Sequence, residues 1–385
     1  MSEFQGYHRH DGQVGVRNHL LVMSIGGLTG AIARRVAAAL RKASCVVLPY
    51  ETGLVGQDKA THDRTALGFA LNANVGAVLL IGDNPSSLEA IVERLKTAEK
   101  PCVALGLDDC GNDAITLTER ATRFGAGLVR QISTFRRALA PISALTLGLE
   151  CGRSDPSSGL VANPLLGQIA DRFISAGGSA ILGETMEWLG AEHLIAARAK
   201  NPEVATDIVD AVTRREAAAV AAGIDLLGTN PTSTNIAAGL STIEEKSLGS
   251  VAKSGTQPIE GLLQYGQAPA HSGLWLMDAP AYAPESLSGF VAAGAQLILF
   301  TTGVGNSYVS LLAPTIKISA NSATTSRLDS QLDFDAHAAF YGDRTLDYLA
   351  VDLENTIIEI ASGTATWGEV LGEGDEVVSR FGPAL

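Results

Sequence analysis

Short apolar runs alternate with amphipathic stretches along the first third of the chain. HLLVMSI (19–25) predicts a buried strand, and AIARRVAAALRKA (31–43) predicts a helix after the glycine-rich loop 26–30. The same alternation predicts further strands at 45–50, 76–82 and 102–107 and further helices at 58–73, 86–98 and 115–137. Because these strands are continuous apolar runs, helices should cover both faces of their sheet. The pattern predicts a doubly wound domain with mostly parallel strands.

The second part of the chain keeps the α/β pattern but has longer polar loops. The apolar run 142–149 predicts a strand, and Asn163-Pro164 opens a predicted helix with proline in its first turn. The polar loop 149–164 therefore lies at the carboxyl edge of a sheet, where such folds bind ligands. We predict two α/β domains with mostly parallel, Rossmann-like sheets: one at 1–138, and a larger one at 139–385 that carries most of the site.

Composition narrows the class of protein. The chain has 385 residues, is 46% hydrophobic and 18% charged, and so should fold throughout. Its four cysteines form no CxxC pair and its start shows no signal sequence, which predicts a cytoplasmic protein. No apolar run approaches the roughly 20 residues that span a bilayer. A net charge of −13 would repel a phosphate backbone, so we expect neither a membrane nor a nucleic-acid partner.

Several segments together resemble the altronate/galactarate dehydratase family, which includes the large subunit of sulfolactate sulfo-lyase. The resemblance implies a hydro-lyase that removes water from an acyclic sugar acid or related hydroxy acid and leaves a 2-keto-3-deoxy acid. It also implies a homo-oligomer and, in some members, a separate small SAF-type subunit. The matching segments are 6–19, 149–164, 183–192, 230–255, 273–280, 292–307 and 314–321.

The chain departs from the family pattern at three strand ends. The family usually has a cysteine after the first strand, HxxGC after the second and GCE after the third. Here these places read IGGLTG (25–30), YETGL (50–54) and GDN (82–84). Thiolates are the soft ligands that would hold iron, so we expect Mg²⁺ or Mn²⁺ rather than Fe²⁺ if a divalent metal binds. The expected oxygen ligands are Glu150, Glu184, Glu187 and Glu192.

Elimination next to a carboxylate needs a base, an acid for the leaving hydroxyl, and positive charge for the electron-rich carboxylate that forms. Lys246 is the preferred base or carboxylate clamp, with a pKa lowered by its neighbours, and Glu245 and Asp155 are further catalytic candidates. The alternative for acids such as Glu245 is helix capping, and for a lone lysine a surface position. Candidates for substrate binding are small polar or cationic side chains: Arg17, Asn18, Ser154, Asn163, Asn230, Asn235, Lys253, Thr301, Thr302, Lys317 and Asn321.

Other functions remain open from the residues alone. A sulfo-lyase would release sulfite from a sulfonated hydroxy acid, and a non-catalytic ligand-binding or assembly subunit would tolerate the missing thiols. The stretch SIGGLTGAIARR (24–35) has the strand, glycine turn and helix of a dinucleotide fold. Because GGLTG is not GxGxxG, we expect no nucleotide cofactor.

Overall fold

The computed structural model describes residues 3–378. The chain divides into two compact units, one formed by Gln5–Ala140 and one formed mainly by the residues from Pro141 onward. Each unit contains its own parallel sheet with helices. The predicted fold class, α/β with two mostly parallel sheets, is confirmed. Among the described residues, no helix is both long and apolar enough to cross a membrane.

The sheet of the first unit has four parallel strands. Two short antiparallel strands, β1 (Glu3–His8) and β2 (Val14–Gly15), precede it. The parallel strands and helices then alternate: β3 (His19–Ile25), α1 (Gly30–Ala39), β4 (Ala43–Leu48), α2 (Gly56–Leu71), β5 (Val75–Gly82), α3 (Glu89–Thr97), β6 (Cys102–Gly106) and α4 (Ala114–Ile132). The strands lie in the order β4–β3–β5–β6, and β7 (Ala138–Pro141) lies beside β1.

The first unit follows the predicted pattern closely, with one informative difference. β3 has the predicted bounds, and its apolar side chains pack with those of α4 in one core. The helix predicted at 115–137, however, ends at Ile132. There the hydroxyls of Ser133 and Thr134 donate to the carbonyls of Arg130 and Gln131 at 2.6 and 2.8 Å. Side chains thus satisfy carbonyl groups of the last turn, which hydropathy alone does not reveal.

The second unit is built on a seven-stranded parallel sheet of order β10–β11–β9–β8–β12–β14–β15. Its strands, with a separate parallel pair β13–β16, are β8 (Thr146–Cys151), β9 (Ser179–Leu182), β10 (Ile259–Gln264), β11 (Gly273–Asp278), β12 (Leu297–Thr301), β13 (Val309–Ser310), β14 (Thr315–Ser319), β15 (Phe334–Asp335) and β16 (Gly374–Asp375). After β8 the chain adds β9 on one side of that strand, and it later adds β12 on the other side. The strand order therefore reverses beside β8, which is where open α/β sheets bind ligands.

Helices of the second unit cover this sheet and supply residues to its edge. They are α5 (Asn163–Ser175), α6 (Glu192–Ala196), α7 (Pro202–Ala221), α8 (Ser233–Ala237), α9 (Ile243–Val251), α10 (Ala283–Ala292), α11 (Ser322–Arg327), α12 (His337–Phe340), α13 (Leu346–Ala361) and α14 (Trp367–Leu371). β8 begins four residues later than the predicted run 142–149, because residues 142–144 form a 3₁₀ turn.

Candidate active site

The carboxyl ends of β8 and β9 bring acidic side chains into the interior of the second unit. Glu150 and Cys151 are the last residues of β8, and Glu184 and Glu187 follow β9. The exposed fraction of each of the three glutamates is 4% or less. Burying carboxylates without partners is costly, so cations or donors must compensate them.

Helix α9 and the turn after it supply these cations. Lys246, Ser250 and Lys253 are spaced by four and then three residues, which places them on one face. Thr242 caps the helix by accepting a hydrogen bond from the Glu245 N–H at 3.1 Å. The helix packs closely on the π-helical turn Ser158–Ala162, because a Cβ at Gly249 would lie only 2.9 Å from the Cα of Gly159.

Lys253 lies at the centre of the assembled side chains. Its Nζ is 3.1 Å from Glu150 Oε1, 3.0 Å from Cys151 Sγ and 3.2 Å from Glu187 Oε2. Lys246 Nζ lies 2.6 Å from Glu187 Oε1 and also donates to Asn230 Oδ1. We call this group the lysine–carboxylate cluster; it consists of Glu150, Cys151, Glu184, Glu187, Lys246 and Lys253.

Two serines complete the hydrogen bonds of the cluster. Ser286 Oγ donates to Glu150 Oε2 at 2.5 Å, and Ser250 Oγ donates to Glu187 Oε2 at 2.6 Å. The carboxylate of Glu184, by contrast, accepts no hydrogen bond from the residues that the structure describes. Glu184 also has a left-handed backbone with φ of 58°, which is uncommon for a residue other than glycine. Such backbone strain is concentrated at functional sites.

Burial and mutual charge shift the pKa values within the cluster. Burial acts to lower the pKa of Lys246, but the charge of Glu187, the largest opposing cause, outweighs it, and the pKa is raised. The predicted lowering of the Lys246 pKa is therefore wrong, because the neighbours of its ammonium are carboxylates that stabilise the charged form. Burial would raise the pKa of Glu187, but Lys246 and Lys253 lower it. The pKa of Glu184 is raised well above its ordinary value by burial and then by Glu150 and Glu187, which favours its neutral acid form.

Three members of the cluster have atoms that could ligate a metal ion. The nearest ligand atoms of Glu150, Cys151 and Glu187 all lie within 4.8 Å of one another. However, the ammonium of Lys253 already contacts an atom of each, at 3.0 to 3.2 Å. A divalent ion among the same atoms would displace the ammonium or be repelled by it inside a buried site. These three side chains therefore do not fit a divalent metal while Lys253 is in place.

Other predicted catalytic and metal residues organise local structure. Asp155 Oδ1 accepts from Ser157 Oγ at 2.7 Å, and its Oδ2 accepts from Asn321 Nδ2 at 2.7 Å, which ties the loop after β8 to the loop after β14. Glu245 accepts from the N–H and hydroxyl of Ser241 at the start of α9. Glu192 accepts from the Gly190 N–H at 2.6 Å. None of these hydrogen bonds reaches a member of the cluster.

Several predicted substrate-binding residues also hold loops together. Thr301 Oγ1 donates to Asn163 Oδ1 at 2.6 Å, and Asn235 Nδ2 donates to the carbonyl of Ser154 at 2.9 Å. Thr302 Oγ1 accepts from the Gly305 N–H. These bonds keep the polar loops of the second unit packed around the carboxyl ends of its strands.

Three predicted substrate-binding residues have partners outside the cluster. Lys317 is fully buried and its ammonium pairs with Glu373 at 2.9 Å. Arg17 and Asn18 belong to the first unit. There the Arg17 N–H donates to the side chain of Asn74, and Asn18 Nδ2 donates to the carbonyl of Ile132. The structure thus brings Lys246, Lys253 and Asn230 together. Arg17, Asn18 and Lys317 instead bond to residues outside the cluster.

Two of the strand ends that differ from the family pattern bring carboxyl groups, Glu51 and Asp83, within hydrogen-bonding contact. β3 pairs with β4 and β5, so the stretches that follow these strands start from one edge of the first sheet. A Cβ at Gly26 would lie 3.0 Å from Asp83 Oδ1. Burial, and then a hydrogen bond with Glu51, raises the pKa of Asp83 to about 6. A carboxylate pair therefore lies where the family pattern has thiols.

Sequence reasoning did not assign three residues of this site. Cys151 has no neighbouring cysteine or histidine in the sequence that would mark it, although its Sγ lies 3.0 Å from Lys253 Nζ. Ser250 could have been found from its helical spacing between Lys246 and Lys253. Ser286 comes from α10, and no sequence signal connects it with Glu150.

These observations define a class: an α/β protein with buried, paired lysines and glutamates at the switch point of a parallel sheet. The D-galactarate/altronate dehydratase C-terminal domain matches residues 142–384, and the D-galactarate dehydratase/altronate hydrolase second domain matches residues 6–132. The chain belongs to the D-galactarate/altronate dehydratase family. Its relatives are dehydratases and a lyase subunit, so at the level of the family it is an enzyme of the lyase type.

Three relatives illustrate the range of the family. The (2R)-sulfolactate sulfo-lyase subunit beta of Chromohalobacter salexigens is 33% identical over 98% of this chain and 97% of its own length. The altronate dehydratase of Bacillus subtilis is 31% identical over 94% of this chain and 74% of its own. The galactarate dehydratase (L-threo-forming) of Escherichia coli is 29% identical over 78% of this chain and 59% of its own.

Proposed function

We propose that this protein is a hydro-lyase that eliminates water from an acyclic sugar acid or a related hydroxy acid, giving a 2-keto-3-deoxy acid. The observation that carries the proposal is the lysine–carboxylate cluster at the carboxyl ends of β8 and β9. It supplies fixed positive charge beside a buried carboxyl group whose raised pKa favours the neutral acid, within the segment that matches the family. Both are needed for elimination next to a carboxylate.

The charges in the cluster suggest catalytic roles for several of its side chains. When the Cα proton passes to the carboxylate of Glu150, whose pKa is raised by burial, negative charge spreads onto the substrate carboxylate, and ammonium groups stabilise that charge. Because the raised pKa of Lys246 keeps it protonated, we assign it as the carboxylate clamp rather than the base. Glu184, favoured as the neutral acid, would donate its proton to the leaving hydroxyl. Asn230, which accepts from Lys246 and donates to the Met186 carbonyl, orients the clamp.

A second candidate is a sulfo-lyase that releases sulfite instead of water. The observation in its favour is that the similarity to the sulfolactate sulfo-lyase subunit beta extends over nearly the whole of both chains. Since that relative is named as a subunit, we also propose a small SAF-type partner subunit and a homo-oligomeric assembly. All four cysteines are free thiols, which suits the proposed cytoplasmic location.

The first test is a substrate panel of altronate, galactarate and (2R)-sulfolactate, with 2-keto acid and sulfite measured separately. Keto acid without sulfite supports the hydro-lyase, and sulfite release supports the second candidate. Lys246→Met should lower kcat/KM by about 100-fold or more, because a charge that stabilises the developing carboxylate is lost. Lys200→Met, which removes an exposed lysine paired with Glu260, is the control and should retain activity. A folded chain that forms neither product, alone or with a small subunit, would support a non-catalytic role.

A further inference from the structure

We infer that Lys253 is a built-in cation in the position of a divalent metal ion. Its side chain excludes metal from Glu150, Cys151 and Glu187, and its removal converts these three residues into a transition-metal site. The inference rests on contacts, not on the proposed reaction. It would hold equally for a hydro-lyase, a sulfo-lyase or a binding subunit.

The first argument is the geometry of the ammonium. Lys253 is fully buried, and its three N–H donors face three acceptors, one from each potential ligand. The distances of 3.0 to 3.2 Å are hydrogen-bond distances, and the ligand atoms lie within 4.8 Å of one another. The Nζ atom thus fills the space that a bound ion would occupy.

The second argument is charge. Glu150 and Glu187 are buried and are compensated by Lys253, with Lys246 adding a further contact to Glu187. A divalent ion added to this arrangement would face the ammonium in a medium that screens poorly. If the ammonium is removed, the carboxylates lose their main compensation, and a cation from solution becomes the favourable replacement.

The donor set specifies which metal would bind. Two carboxylate oxygens and one thiolate suit Zn²⁺ or Co²⁺, whereas Mg²⁺ and Ca²⁺ prefer oxygen alone. The Cys151 Sγ, 3.0 Å from Lys253 Nζ, is the donor that distinguishes these metals. The hard-ion site predicted from Glu150, Glu184, Glu187 and Glu192 is therefore replaced by a thiol-containing site that is blocked in the natural chain.

The test is a titration with Co²⁺, in which a thiolate–cobalt charge-transfer band reports ligation and metal analysis after gel filtration gives the stoichiometry. Lys253→Ala should bind one Co²⁺ per chain and show the band. The wild type should show neither. Lys253→Met keeps the length of the side chain without its charge, and should also bind none because the space stays filled. Adding Cys151→Ala to the alanine variant should abolish the band and exclude the other three thiols as its source.

Two results would overturn the inference. One is a wild-type band that Cys151→Ala removes, since Lys253 would then fail to exclude metal. The other is a folded alanine variant, checked by circular dichroism, that binds no Co²⁺. If the alanine variant does not fold, Lys253→Ser provides a second cavity-forming variant for the same titration, with the same expected binding and the same contrary outcome.

Discussion

At the scale of single residues, the lysine–carboxylate cluster is an arrangement of nearly balanced charge. Two ammonium groups face three carboxyl groups, so the charges cancel when Glu184 carries a proton and the Cys151 thiol is neutral. Buried ion pairs of this kind contribute little net stability, while removing one partner typically costs about 3 to 5 kcal/mol. An arrangement that is so sensitive to loss of a partner, and gives so little stability, is better explained by chemistry than by folding.

We expect Glu184→Gln to lower kcat by about 100-fold or more, because the amide cannot donate a proton to the leaving group. The wild type should lose activity as pH rises through the raised pKa of Glu184, since the acid form is present below that pKa and absent above it. The residual activity of the variant should lack this alkaline decrease. Steady-state kinetics across pH provides the measurement.

Glu192→Gln is the matched control for this variant. It removes a carboxylate from the same stretch of chain, but one that accepts from the Gly190 N–H instead of facing the cluster. Its pH profile should match that of the wild type. A Glu184→Gln variant with normal kcat and an unchanged alkaline decrease would rule out Glu184 as the acid.

The residues that sequence reasoning could and could not find differ in a physical way. Glu150, Glu184 and Glu187 were selected because they follow apolar runs, and the parallel sheet brings such strand ends to one edge. The direction of the Lys246 pKa shift could not be found, because it depends on which side chains face the ammonium. Hydrogen bonds such as Ser286 to Glu150 join residues far apart in sequence, and no spacing rule predicts them.

At the scale of elements, helix α9 carries Lys246 and leads directly into the turn that carries Lys253, and its position depends on a close glycine contact. Gly249 of α9 faces Gly159 of the π-helical turn so closely that no Cβ fits between them. Asn163 Nδ2 also donates to the Gly249 carbonyl at 2.9 Å, which fixes the helix along its axis. Neither hydropathy nor a capping signal contains information about this contact.

We expect Gly249→Ala to destabilise the protein by about 1 to 3 kcal/mol, because the new methyl group meets backbone and cannot be accommodated by a side-chain rotation. It should also lower kcat, since a shift of α9 away from Gly159 changes the position of Lys246 relative to Glu187. Urea unfolding and kinetics are the measurements. Gly127→Ala on α4 is the control: a Cβ there meets nothing within 4 Å, so helix propensity should raise stability by about 0.5 to 1 kcal/mol. Equal changes in the free energy of unfolding for Gly249→Ala and Gly127→Ala would contradict the packing argument.

At the scale of the whole molecule, the predictable part of the fold is the part controlled by hydrophobic burial. Continuous apolar runs gave β3 and β5 and the parallel sheets, because strands that are covered on both faces leave a clear signal. Short pairings such as β13 with β16 leave no such signal, since each has only two residues. β16 begins a segment, residues 374–378, that is held to the rest of the second unit by hydrogen bonds.

The carboxylate of Glu376 accepts several of these hydrogen bonds. Its Oε1 accepts from Ser310 Oγ at 2.5 Å and from the Leu311 N–H at 3.1 Å, and its Oε2 accepts from Ser288 Oγ at 2.6 Å. Burial raises the pKa of Glu376 to about 7, despite the opposing effect of the hydrogen bonds from Ser288 and Ser310. The folded protein therefore holds a proton that the unfolded chain releases nearer pH 4.5.

This linkage predicts how stability changes with pH. Between about pH 4.5 and 7, the unfolded chain has lost the Glu376 proton while the folded protein keeps it, so the free energy of unfolding should fall as pH rises. The contribution reaches at most about 3 kcal/mol above pH 7. Glu376→Gln imitates the protonated form and should lack this decrease, so its stability relative to the wild type should increase from pH 5 to pH 8. Urea unfolding at both pH values measures the difference, with the exposed Glu359→Gln as the control whose relative stability should not change. Parallel stability curves for Glu376→Gln and the wild type would contradict this prediction, because they would show that Glu376 titrates alike in the folded and unfolded chains. Contacts other than this carboxyl would then hold residues 374–378 in place.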